Sequence, residues 1–205
     1  MAQKIKHWYP KDERFFKVLA CSGAIQSQSA NRIDISNSRL KNYVRDGYIK
    51  EVPFPSGKHG QIKSNRCYIY TNKGKTMVRD RYGIERVQNS NAMEHNSKVA
   101  ECICNLNKSE IDTIKTEWEI REMWESRLDE LSETERDRWE EEIEKGLLSA
   151  VDVVYTTGTG DMTGIEVTTN SYGEAEIEQK ENCGELLQIE VQYVLRSSAK
   201  SCGLV

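Results

Sequence analysis

Apolar residues in the N-terminal half fall into short clusters with helical spacing, separated by polar turns. Phe15, Phe16, Val18 and Leu19 give the stretch Lys11–Ala20 one buried helical face, and Gly23 is its stop. Residues 1–10 read as a polar lead-in ending at Pro10, and Ser27–Ile33 as a short helix resting on Ala30 and Ile33. Asp34, Ile35 and Ser36 form a turn, from which Ser36 caps a helix that stops at Gly47. Within it Leu40, Tyr43 and Val44 are spaced i, i+3, i+4 and face inward. Two short strands, Lys50–Phe54 and Arg66–Tyr70, flank a polar basic loop, 55–65, and Thr71–Gly83 adds a helix with Met77, Val78 and Tyr82 as its apolar face.

The C-terminal half patterns differently. Val99, Ile103 and Leu106 predict a helix over 93–107, and Ile111–Ile120 has a β-like alternation, with helical continuation as its alternative. Ser126–Lys145 is a Glu-rich helix carrying a thin stripe of Leu128, Leu131, Trp139 and Ile143; its acidic run is a solvated face or a docking face. Leu148–Tyr155 and Thr163–Thr169 read as strands joined by a Thr/Gly turn, Glu174–Leu187 as a helix and Gln188–Val194 as a last strand, with residues after Arg196 frayed.

Charge separates the halves. Residues 1–90 hold 18 Lys+Arg against 7 Asp+Glu, a net of +11, and the remainder holds 11 against 26, a net of -15. A basic half can replace the counterions of a polyanion, whereas an acidic half repels one. Two domains are therefore expected, 11–84 and 93–196, with the boundary in 84–92. No stretch of 18 apolar residues is present, and the N-terminal residues lack an apolar signal core, so a cytoplasmic protein without a membrane partner is expected. Cys21, Cys67, Cys102, Cys104, Cys183 and Cys202 contain no CxxC pair, and Cys102-x-Cys104 is too tight for a zinc knuckle, so idle thiols are expected.

Helix, strand, basic loop, strand over 36–70 is the order of a winged helix-turn-helix, a module that reads double-stranded DNA. On the helix, Asn37, Ser38, Arg39, Lys41, Asn42 and Arg45 supply the short, polar and basic side chains that a major groove admits; on the loop and its return strand, Lys58, His59, Lys63 and Arg66 would lie against flanking phosphates. The alternative for the helix alone is an ordinary solvated face.

Asp152 and Glu166 each stand inside an apolar run and each seven residues from Thr159. If their strands pair antiparallel about that turn, the two carboxylates face each other on one side of the sheet with Cβ atoms about 5 Å apart. Such a pair either accepts a hard divalent cation, which can activate water on a phosphodiester, or turns to solvent, lysine or arginine.

The order helix (93–107), strand, strand, strand, helix, strand resembles the αβββαβ core of the PD-(D/E)XK nucleases, and the chain over roughly 11–194 is similar to replication-relaxation proteins of plasmids and mobile elements through His95, Thr116-Glu117-Trp118-Glu119, Ala150-Val151-Asp152 and Gly164-Ile165-Glu166-Val167. The resemblance implies a winged helix followed by a nuclease-like domain with a Glu-rich helical insertion. It assigns Mg²⁺ ligation to Asp152, Glu166 and, from the leading helix, Glu101. The third-strand lysine is replaced by Thr168, and Lys180 on the next helix stands as its substitute. The expected function is double-stranded DNA binding in replication or mobilisation of a mobile element. The nuclease-like domain would then be inactive, without a cofactor, and used for assembly as a homodimer or with other proteins of the element. A Mg²⁺-dependent endonuclease and a transcriptional regulator are the alternatives.

Overall fold

In the computed structural model, which describes residues 5–54, 66–169 and 172–196, Pro10–Ser22 forms helix α1 and buries Phe15, Phe16, Val18 and Leu19 as their spacing predicts. It ends at Gly23, whose positive φ of 75° lets its N–H reach back to the Leu19 carbonyl. A two-residue strand, β1 (Ile25–Gln26), follows, too short to be legible as a pattern. Helices α2 (Ser27–Arg32) and α3 (Asn37–Arg45) come next, the second capped as expected by the Ser36 hydroxyl, which accepts the Arg39 N–H.

Strands β2 (Ile49–Pro53) and β3 (Arg66–Tyr70) complete an antiparallel sheet in the order β1-β3-β2. The loop that carries Lys58, His59 and Lys63 lies outside the described residues. Helix α4 (Asn72–Tyr82) packs so closely on the turn before β2 that a Cβ on Gly74 would stand 1.9 Å from the Tyr48 carbonyl oxygen, so only glycine fits there.

The chain divides into two units, one reaching Asp112 and the other starting at Thr113. This moves the boundary beyond the 84–92 stretch that the charge shift marks. That stretch is fastened to α1: Gln88 N–H donates to Ala20 O at 2.8 Å, and the Asn96 amide reaches Asn89 O at 2.6 Å. Helix α5 (Met93–Asn105) thus belongs to the first unit, where it packs on α1, α2 and β1 with Val99, Ala100, Cys102 and Ile103 buried. Helix α6 (Lys108–Thr113) is held to the same core by a two-pronged Arg14–Asp112 pair at 2.6 and 2.7 Å and by Lys108–Asp34 at 2.6 Å. Charge remains divided after this shift: residues 1–112 hold 20 basic and 11 acidic side chains.

The second unit corrects the strand expected over 111–120. Only one bridge, Lys115 to Val154, is extended there, and helix α7 (Glu117–Glu130) begins immediately after it. The cause is a reciprocal cap: Glu119 N–H donates to the Thr116 hydroxyl, and Thr116 N–H donates to the Glu119 carboxylate at 2.7 Å. The Glu-rich helix is likewise two helices. A second capping box, Ser132-x-x-Glu135, breaks the chain and starts α8 (Glu133–Glu144), and Ile143, expected as core, is 39% exposed.

Strands β4 (Val153–Thr156) and β5 (Met162–Thr168) pair antiparallel, helix α9 (Glu174–Leu187) crosses over, and β6 (Glu190–Leu195) joins β5 in parallel. Trp124, Trp139, Val151, Val154, Cys183 and Leu186 fill the core beneath this sheet. The architecture is mixed α+β with two three-stranded sheets. Among the described residues no helix is long and apolar enough to cross a membrane.

Candidate nucleic-acid interface and carboxylate pair

Helix α3 turns Leu40 and Tyr43 into the core. At 100° per residue, Asn37, Ser38, Lys41 and Arg45 then fall together on the opposite side, and all four are exposed. Asn42, half-buried, stands at the edge of this face, where its side-chain oxygen accepts from Arg45 at 3.1 Å; Arg45 also meets Asp46 at 2.8 Å. The Arg45 side chain is about a third open to solvent, whereas the Asp46 carboxylate it meets is nearly buried.

Arg39 does not belong to this outward set. Its guanidinium meets the fully buried Asp12 carboxylate at 2.5 Å, donates to His7 O at 2.7 Å, and lies over the rings of Trp8, Tyr9 and Tyr43. Arg39 sits on the flank of α3 nearest the core, so its charge is spent on Asp12, not presented to solvent. Tyr43 joins the same carboxylate through its hydroxyl, and burial, reinforced by Asp12, pushes that phenol far above its ordinary pKa, keeping it a donor. Asp12 also accepts the Tyr9 N–H at 2.7 Å and so caps α1. Its importance was not visible in the sequence, where it is one acid beside Lys11 and Glu13. Arg66, at the start of β3, is exposed and pairs loosely with Glu51 at 3.4 Å.

The second unit places Asp152 and Glu166 as the spacing about Thr159 predicts. Val153 pairs with Ile165, and the same register sets Asp152, one residue ahead of β4, opposite Glu166. The two side chains interlock through backbone: Asp152 N–H donates to Glu166 Oε2 at 3.0 Å, and Val167 N–H donates to Asp152 Oδ2 at 2.8 Å. Glu166 is 1% exposed. Its other oxygen, Oε1, accepts the Tyr172 hydroxyl at 2.6 Å and faces Lys180 Nζ at 3.2 Å. Lys180 in turn donates to the Ala150 carbonyl. The acids therefore face each other across the register, and Glu166 is matched by a lysine.

Burial, and then the Asp152 charge, raise the Glu166 pKa above the ordinary glutamate value, while Lys180 and the Tyr172 hydroxyl oppose the rise. Burial, and then Glu166, raise Tyr172 well above the ordinary tyrosine range, so it too remains a donor. Tyr172 was missed from sequence because it lies in the loop before α9, where no periodicity marks it.

Glu101 lies in the first unit, where its carboxylate meets Lys98 at 3.3 Å and Arg32 at 3.9 Å. Among the described residues no group of three or more His, Cys, Asp or Glu side chains converges as metal ligands, so Asp152 and Glu166 stand as a pair. The five described cysteines are buried and none is in a disulfide among the described residues, and burial pushes the Cys104 thiol up to about 12, which suits core thiols; Cys202 lies outside the described residues. Comparison with known proteins finds no match to this chain among family models, curated proteins or solved structures.

Proposed function

We propose that this protein binds double-stranded DNA through its first unit, with α3 entering the major groove and the β2–β3 hairpin lying against the flanking backbone. The observation that carries this reading is the exposed face of Asn37, Ser38, Lys41 and Arg45 on a helix that directly precedes an antiparallel hairpin. Helix, strand, helix, helix, strand, strand with sheet order β1-β3-β2 is the order of a winged helix-turn-helix, and the excess of basic residues in this unit favours a polyanion. The acidic second unit stays off the phosphates. Its role as an assembly scaffold, and the place of the protein in replication or mobilisation of a mobile element, follow from the sequence resemblance.

The test is a salt titration of binding to a labelled mixed-sequence duplex. Replacing Lys41 and Arg45 together by alanine removes up to two phosphate contacts, so the slope of log K against log[salt] becomes shallower by about two units and affinity falls about tenfold or more. Binding insensitive to this double substitution contradicts the reading.

A second reading, a Mg²⁺-dependent endonuclease, is favoured by one contact. Lys180, standing in for the lysine that Thr168 replaces, reaches Glu166 beside Asp152. In that reading Asp152 and Glu166 hold the ion and Lys180 polarises the phosphate. Nicking of supercoiled plasmid in Mg²⁺ that is lost in Asp152→Ala is its expected signature; tight binding without nicking leaves the second unit a scaffold.

A further inference from the structure

Residues 5–9, in the polar lead-in to α1, are held along α3. Ile5 N–H donates to Asp46 Oδ2 at 2.6 Å, His7 O accepts from Arg39 at 2.7 Å, and Tyr9 N–H donates to Asp12 at 2.7 Å. Between them Trp8 packs against Tyr43 and Tyr48, with ring centroids 6.3 and 5.4 Å apart, while Arg81 lies over its indole at 5.1 Å. Every one of these anchors is made by backbone atoms or by Trp8.

Arg39 on α3 and Asp46 at its C-cap are seven residues apart, two helical turns, and so lie on the same flank about 10 Å from each other. Ile5 meets the C-terminal end of that flank and His7 reaches its N-terminal end through Arg39, so the arm runs antiparallel along the helix. This flank lies next to Asn42 and borders the outward face of Asn37, Ser38, Lys41 and Arg45. Between the Ile5 and Tyr9 anchors, Lys6 and His7 leave both side chains exposed.

Resting on the DNA-binding reading above, we propose that this arm is a second part of the DNA-binding surface, with Lys6 holding a backbone phosphate beside the groove that α3 occupies and His7 donating a hydrogen bond to the same strand. The clasp orders the arm before DNA arrives, so little conformational entropy is lost on binding. Arg39 acts here as a positioning residue: it joins the arm to the recognition helix and touches no DNA.

The experiment compares the full chain with Lys6→Ala and with Lys6→Ala/His7→Ala on a labelled mixed-sequence duplex across a salt series. Thermal unfolding serves as the control, because both side chains are exposed and none of the anchors uses them. The expected result is an unchanged melting temperature, a salt slope shallower by about one unit in Lys6→Ala, and a three- to tenfold loss of affinity at low salt in the double variant, in rough proportion to one or two lost contacts. If Lys41→Ala weakens binding while both arm variants bind with the wild-type slope and affinity, the arm is a structural strap alone and the proposal fails. If the wild-type chain binds no duplex, the DNA-binding reading itself fails and the proposal with it.

Discussion

Replacing Asp12 by alanine is expected to destabilise the first unit by about 3–5 kcal/mol, the cost of leaving a buried charge without its partner. Three groups depend on this carboxylate: the Arg39 guanidinium, the Tyr43 hydroxyl and the Tyr9 N–H at the start of α1. Without it the guanidinium stays among Trp8, Tyr9 and Tyr43 with no counter-charge, and a fully buried phenol loses its acceptor. In thermal denaturation of a unit of this size the loss reads as a fall of roughly 15 °C or more. Asp12→Leu combined with Arg39→Met removes both charges, and it recovers much of the loss relative to Asp12→Ala because no unpaired ion remains. A change below about 1 kcal/mol in Asp12→Ala contradicts the claim that this network ties α1 to α3.

The second large effect is at Lys180. Glu166 is almost wholly buried, and its pKa is raised by burial and by Asp152, with Lys180 opposing the rise. A carboxyl whose folded pKa lies above its unfolded one retains a proton in the native state that the unfolded chain has already released. Stability therefore falls as pH rises from the ordinary glutamate value through the raised one. Lys180→Met removes the opposing ammonium and extends that window upward. Near the ordinary glutamate value the variant is expected to be only slightly less stable than wild type, and in denaturant titrations the gap widens as pH rises above that value. A deficit that does not change with pH contradicts the role given to Lys180, because loss of packing or of its bond to the Ala150 carbonyl is insensitive to pH in that range.

What the sequence disclosed depended on how local the physics was. The face of α1, the Ser36 cap and the inward Leu40 and Tyr43 follow from spacing within one helix, and they stand where the spacing puts them. The pairing of Asp152 with Glu166 was also legible, because an antiparallel ladder about a short turn has one free number, its centre, and the two acids are equidistant from Thr159. At Glu117 the β-like alternation of Ile111–Ile120 gives way to its helical alternative, because the Thr116-x-x-Glu119 box starts a helix there. Other features were not legible at all. Asp12 and Arg39 are 27 residues apart, and an arginine on a helix flank looks the same in sequence whether it faces a groove or a buried acid. The charge shift and the division into units fall at different places because charge reports on surface, whereas α5 belongs to the first unit through the buried residues it sets against α1, α2 and β1.

The most direct test of the central claim is amide chemical-shift mapping of the full chain titrated with a mixed-sequence duplex. The account predicts that perturbations concentrate on α3, the β2–β3 hairpin and the arm around Lys6, and that β4, β5 and α9 remain at their free positions. Perturbations concentrated on the acidic second unit, with α3 unmoved, would contradict it.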